Sequence, residues 1–234
     1  MNRSLCDYLY SLGFYEEGLK YSEELIKYNN DSLFYYKGLL GSDMNRRDYP
    51  SALKTALKLY GWDPVMTRTY LIGYYIMAKD YAGALKHVEE YIKIQEKQGT
   101  KMNPSFIFGY VYLKNGQKEK SVYHLEGAIR SLLKTIEQKQ PNPSGFDYFN
   151  LAAMYSAMDD KGKAIDHLKE VLKCKDMENI SWRVEWFKKF NNSPMFDTIR
   201  DEPEFQEFIK SAEDRFLPER KKIEKLLQEE GIFK

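Results

Sequence analysis

Cysteine and histidine are scarce in this chain of 234 residues, which holds two Cys and three His. Cys6 and Cys174 stand near opposite ends of the repeated region, so they build neither a disulfide framework nor a zinc site of four thiolates. A reducing cytoplasm is the expected compartment. Charge of one sign is also lacking: Lys+Arg 36 against Asp+Glu 35 leaves a formal +1, and basic residues alternate with acids along the chain. No continuous phosphate track results, and nucleic acid is not an expected partner. No apolar run approaches the roughly 18–20 residues that span a bilayer, so membrane insertion is not expected either. The opening Met1-Asn2-Arg3-Ser4-Leu5-Cys6-Asp7 has no apolar core of the kind a secretion signal needs.

The nucleotide and metal motifs are missing too. Neither Gly-x-Gly-x-x-Gly nor Gly-x-x-x-x-Gly-Lys-Ser/Thr occurs, nor His-Glu-x-x-His, nor Cys-x-x-Cys. No cofactor, no metal and no catalytic residue is expected, and the chain reads as a non-enzyme. What is present is a soluble balance of 43% hydrophobic and 30% charged residues, with 19 Tyr and 13 Phe.

These residues recur in a pattern. Gly13-Phe14-Tyr15-Glu16-Glu17-Gly18-Leu19-Lys20 sets a turn, an aromatic and a small residue ahead of an amphipathic stretch. The shape returns at Arg47-Asp48-Tyr49-Pro50-Ser51-Ala52-Leu53 and at Lys79-Asp80-Tyr81-Ala82-Gly83-Ala84-Leu85. Weaker copies follow at Gly116–Val122 and Asp160–Ile165. The small residue falls at Gly18, Ala52, Ala84, Ser121 and Ala164, with separations of 34, 32, 37 and 43. After it, apolar residues keep helical spacing, as in Ala84, Leu85, Val88, Tyr91 and Ile92. Before each turn lies a second helical stretch with a large apolar residue, a small one and an aromatic, as in Phe108-Gly109-Tyr110-Val111-Tyr112 and Leu151-Ala152-Ala153-Met154-Tyr155. Each unit reads as two helices crossing at small residues, too apolar to stand alone, so that copies must stack.

This layout resembles the tetratricopeptide repeat family: an aromatic, a Leu-Gly-like pair, a Tyr, a small residue, an apolar one and a closing Pro, here Pro64 of Asp63-Pro64. The aromatic opening slot is kept at Tyr36 and Tyr148 and replaced by Asn2, Arg68 and Ser105. The resemblance implies an all-α fold, a right-handed superhelical solenoid of antiparallel helix pairs, with five repeats over residues 1–176. Extra residues enter around Gln95–Pro104 and Gln138–Gly145.

Residues 177–234 break the rhythm and are expected to form a helical C-terminal cap over the exposed end of the stack. Trp182, Trp186, Phe187 and Phe190 stand at helical spacing. Ser193-Pro194 reads as an N-cap with Pro at the first helical position. Glu202-Pro203-Glu204 opens a further helix carrying Phe205, Phe208, Ile209, Ala212 and Phe216 on one face. Pro218 is expected to start a separate last helix with Ile223, Leu226 and Leu227, ended by Gly231. The aromatic tail also offers a route to homo-oligomers through its helices. Phe196–Phe205 is similar to a segment that follows such repeats in larger bacterial signalling proteins. That similarity, with the shortened opening helix of the first copy, implies a second reading: a regulatory or sensor module of such a protein.

The three histidines, His87, His124 and His167, each follow the small residue of their copy by three. Equivalent positions in stacked pairs lie about 10 Å apart, whereas zinc needs ligands at about 2 Å, so a framework role is expected. Cys174 ends an apolar face without a base beside it, and adjacent acids such as Glu89-Glu90 point apart on a helix.

In the resemblance, the first helices line a concave groove for a protein or peptide. The residues placed there by spacing are Tyr10, Phe34, Lys37, Phe106, Tyr110 and Phe149. Some family members grip a partner's C-terminal carboxylate with Lys, Asn and Arg. The corresponding positions here are Asp7, Gly38 and Tyr70, so that mode is not expected.

Overall fold

The computed structural model describes residues 3–29, 32–62, 64–100, 102–139, 142–175 and 192–232. Among the described residues the chain is all-helical, with no strand. Ten helices pair in chain order: α1 (Arg3–Ser11) with α2 (Tyr15–Asn29), α3 (Ser32–Asn45) with α4 (Tyr49–Trp62), and α5 (Pro64–Met77) with α6 (Tyr81–Lys97). α7 (Phe106–Lys114) pairs with α8 (Lys118–Gln138), and α9 (Gly145–Ala157) with α10 (Lys161–Val171). Every helix packs on the next along the chain, and first helices also touch one another, α1 on α3, α5 on α7 and α7 on α9. No helix among the described residues is long and apolar enough to cross a membrane.

The turn within each pair repeats one backbone geometry five times. Five residues before each small residue stands a residue in the left-handed region: Gly13 (φ 77°), Arg47 (62°), Lys79 (58°), Gly116 (72°) and Asp159 (62°). The next N–H then reaches back to the carbonyl five residues earlier. Phe14 donates to Leu9, Asp48 to Asp43, Asp80 to Tyr75, Gln117 to Tyr112 and Asp160 to Tyr155, all at 2.9–3.0 Å. This closure satisfies carbonyls that the end of the first helix leaves open. The carbonyl of that same residue accepts the first N–H of the second helix, from Gly18, Ala52, Ala84, Ser121 and Ala164.

Glycine adopts the left-handed conformation without steric cost, and in two of these five turns it does so, at Gly13 and Gly116. Where Arg47, Lys79 and Asp159 take that place, an aspartate follows and caps the second helix. The Asp48, Asp80 and Asp160 carboxylates accept the N–H groups of Ser51 (3.2 Å), Gly83 (2.9 Å) and Lys163 (3.2 Å). A cap of this kind contributes about 1 kcal/mol, which offsets the strained residue beside it.

All five small residues are buried, as helix contact at those points requires. Gly109 makes the same provision on α7: a Cβ there would stand 2.7 Å from Leu125 Cγ of α8. Apolar clusters run from pair to pair. Leu40, Ala52, Ala56 and Leu59 meet Leu71 of the third pair, and Leu125, Ile129 and Ile136 of the fourth meet Leu151 and Met154 of the fifth. The inserted stretch before α7 is pinned to α8, where Pro104 packs over Gly127.

In the tail, Ser193 Oγ accepts the Met195 N–H (3.3 Å) at the head of a short 3-10 turn, Pro194–Phe196. Helix α11 (Pro203–Glu229) follows, with Glu202 before it and Pro203 at its first position. Met195, Phe196, Ile199, Phe205, Phe208 and Ile209 join the core of the third, fourth and fifth pairs.

The expected break at Pro218 does not occur; α11 continues through it. Pro218 lies on the solvent side, and packing anchors both ends of the helix. At the far end Leu227 is buried with Leu9, Leu12 and Phe14 of the first pair, flanked by Ile223 and Ile232. The Arg220 guanidinium lies 4.6 Å from the Phe14 ring, and the Tyr21 hydroxyl donates to the Ile232 carbonyl (3.0 Å). One helix of about 40 Å, at 1.5 Å per residue, therefore ties the last pair to the first. The stripe expected from Trp182, Trp186, Phe187 and Phe190 lies outside the described residues.

Candidate functional site

The first helices α5, α7 and α9 present a face that the tail covers. Phe196 packs on Phe149 (ring centroids 5.1 Å) and on Phe205 (5.6 Å). Thr198 Oγ1 donates to the Ser156 carbonyl (2.8 Å) on α9. Charges frame the contact: Lys79 with Asp197 (3.0 Å), Arg200 with Asp197 (2.9 Å) and Lys161 with Glu202 (2.6 Å). Burial works against ionisation of Asp197, yet hydrogen bonds from Arg200 and Lys79 hold its carboxyl below the ordinary value.

The six residues expected to line a groove are placed very differently. Tyr110 is 1% exposed, in edge contact with Tyr81 (6.0 Å), and its hydroxyl meets no hydrogen-bond partner among the described residues. Burial drives that phenol strongly upward. Phe149 is half-buried beneath Phe196. Tyr10 is buried over Gly18 and Gly38, glycines whose missing side chains leave room for its ring. Its hydroxyl donates to Ser22 Oγ (2.9 Å), and burial raises its pKa to about 12. Lys37 is exposed, and Phe106 is half-buried at the head of α7. The side chain of Phe34 lies outside the described residues. The structure thus gathers Tyr110 and Phe149 under the tail and leaves Lys37 and Phe106 partly or fully at the surface.

A recess of about 300 Å³ is lined by Tyr91, Gln95, Thr100, Asn103, Ile107 and Phe108 among others. It occupies the junction of α6 and α7, where the repeat spacing lengthens. The extra residues were legible in the sequence; that they wall a recess was not.

The histidines share one contact. His87 lies against Tyr75 (5.1 Å), His124 against Tyr112 (5.6 Å) and His167 against Tyr155 (5.3 Å), each ring pair joining the two helices of its pair. Lys120 and Lys163 place their ammonium groups 5.0 Å from the Tyr112 and Tyr155 rings. His124 Nδ1 accepts the Ser105 N–H (3.1 Å), which fixes the start of α7. Burial lowers the pKa of both His124 and His167. Among the described residues no group of three His, Cys, Asp or Glu is placed to hold a metal ion.

The thiols point away from reactivity. Burial, with Asp7 beside it, pushes the Cys6 thiol upward, and Cys174 donates to the Glu170 carbonyl (3.3 Å). Sequence reasoning missed Asp43. It stands where Tyr75, Tyr112 and Tyr155 stand in later pairs, and the register of Leu39-Leu40 against Leu71-Ile72 would have placed it there.

The chain matches no family model, no curated protein and no solved structure.

Proposed function

We propose that this chain is a non-enzymatic binding scaffold of the tetratricopeptide type. Its five pairs wind into a right-handed superhelix whose first-helix face receives a protein or peptide segment. The observation that supports this reading is the fivefold recurrence of one turn: a left-handed residue, a closing bond five residues back and a buried small residue at a fixed offset. Identical turns give each pair the same relation between its helices, and stacking like units generates a regular array. The tail occupies the face over the last pairs, and of the residues expected in the groove Phe106 stays half-buried and Lys37 exposed. A half-buried aromatic such as Phe106 is the kind of anchor that dominates peptide interfaces.

Selection of binders from a displayed peptide library, followed by titration of the best one, tests this. Phe106→Ala should weaken binding about tenfold with the helical circular dichroism unchanged. Lys37→Ala should weaken it less. Absence of any binder, or equal affinity of the Phe106→Ala variant, would overturn the reading.

A further inference from the structure

We infer that His124 is a proton-sensitive latch: its bare Nδ1 holds the connector of residues 100–105 in place as a wall of the recess, and releases it when the ring takes a proton. This goes beyond the groove reading and does not rest on it, since it assigns a regulated motion to the junction of α6 and α7.

The fourth pair opens differently from the fifth. Ser144 stands before α9 and caps it, its Oγ accepting the Phe146 N–H (3.2 Å). Ser105 stands before α7, but its side chain makes no such cap. Its N–H instead donates to His124 Nδ1 on α8 (3.1 Å). A backbone amide can only donate, so Nδ1 carries a lone pair and the neutral ring keeps its proton on Nε2. Rings fix the imidazole in this pose. It stacks on Tyr112 (5.6 Å), with Phe108 (5.8 Å) and Tyr123 (5.1 Å) in edge contact, and is 8% exposed.

Among the described residues little else ties the connector down. After Gly99 in the left-handed region (φ 67°), Thr100 closes α6 by donating to the Gln95 carbonyl (3.0 Å). Beyond it, Met102 and Asn103 enter no hydrogen bond among the described residues. Pro104 is held by packing over Gly127. Thr100, Met102, Asn103 and Ser105 line the recess from the connector, and α6 and α7 supply the rest of its wall. The Ser105–His124 bond is thus the hydrogen bond that joins this part of the wall to α8.

A proton on Nδ1 replaces the lone pair with a second donor. Two N–H groups then face each other in a buried site, neither satisfied, and the new cation is desolvated. Outward movement of the connector exposes both to water and ends the conflict. The charges on the packed elements are engaged elsewhere. Lys120 of α8 covers the Tyr112 ring of α7 and lies 4.0 Å from Glu89 of α6, and Glu96 of α6 also acts on that phenol. Glu126 is paired with Arg130 on α8, and Asp147 of α9 with Lys139. Thr100 and residues 102–105 of the connector carry no ionisable side chain. Burial alone shifts His124, and it lowers the pKa. The open form therefore binds the proton more tightly than the closed one. The latch is shut above the ordinary value of about 6.5 and loosens below it.

The test uses the full chain and nuclear magnetic resonance. At pH 7 a coupling through the hydrogen bond should connect the Ser105 amide nitrogen with His124 Nδ1, and it should vanish as the imidazole titrates. Exchange protection of Ser105, corrected for the free-amide rate, should fall at least about threefold between pH 7 and 5, while amides of α2 keep theirs. The Met102 methyl, which lines the recess, should shift with the same midpoint as the His124 ring. His124→Gln offers an amide carbonyl that accepts the same N–H without titrating, so its Ser105 protection should stay flat. His167→Gln removes the other buried histidine of lowered pKa and should leave the wild-type response at Ser105 intact. The coupling and the protection of wild type decide the matter even where a variant folds poorly. No coupling at pH 7, constant protection at Ser105, or an equal fall in α2 would overturn the latch. So would a Met102 midpoint away from that of His124, a pH response kept in His124→Gln, or one lost in His167→Gln.

Discussion

The first two helix pairs and the last three are built on the same turn but closed by different side chains. In the last three, a tyrosine of the first helix covers a histidine of the second, and all three share one core with the tail. In the first two, that position holds Leu9 or Asp43, and the apolar residues divide into smaller separate clusters. The backbone bonds are the same in all five. A repeat here is thus defined by its turn and its small residue, while the ring contact is an addition that only part of the array uses.

The largest effect should come from removing what the last three pairs share. Phe196 is fully buried between Phe149 and Phe205, so Phe196→Ala should cost about 3–5 kcal/mol, read from urea unfolding. Hydrogen exchange should place the loosening in α7 to α10. Uniform loosening that reaches α3 and α4 equally would erase the contrast between the two regions.

Acid should separate the regions next. Burial lowers the pKa of His124 and His167, so the unfolded chain binds protons first as the pH falls. Their stabilising contribution is complete above the unfolded value of about 6.5 and is lost as the pH drops below it toward the folded values. No histidine stands in the first two pairs. Exchange measured between pH 7 and 5 should quicken in the fourth and fifth pairs before the others, and a variant with His124→Gln and His167→Gln should flatten that dependence. Glu16, Asp160 and Asp197, held below the ordinary carboxylate range, titrate in a lower window and do not blur it.

The smallest effect tests what the regions have in common. Arg47→Gly in the second pair relieves a left-handed residue and should stabilise by about 1 kcal/mol, whereas Gly116→Ala in the fourth should destabilise by about as much. Thermal melting of the two variants measures both. Shifts of the same sign would mean that the turns are not equivalent.

The turns were legible because their information is local. A small residue, an aspartate cap and an amphipathic run all fall within a dozen residues, and the five predicted crossings at Gly18, Ala52, Ala84, Ser121 and Ala164 are where the buried contacts lie. What was illegible depends on contacts distant in sequence. Pro218 signals a helix start when read alone. Leu227 against Leu9 and Phe205 in the common core anchor the two ends of a helix that continues through it. Tyr10 and Tyr110 carry the same residue type at neighbouring helical faces as an interface anchor would. Only the glycines beneath one and the core around the other show how each ring is enclosed.

The long closing helix has a consequence for how such a chain changes length. An open array grows or shrinks by duplicating a unit, since its termini are independent. Here α11 measures the distance between the two terminal pairs, with Phe205 at one end and Leu227 at the other. A sixth unit inserted in the middle would carry the first pair out of its reach and strip the cover from Leu9 and Phe14. The number of pairs is therefore fixed by a ruler within the chain, and divergence is left to act on side chains rather than on copy number.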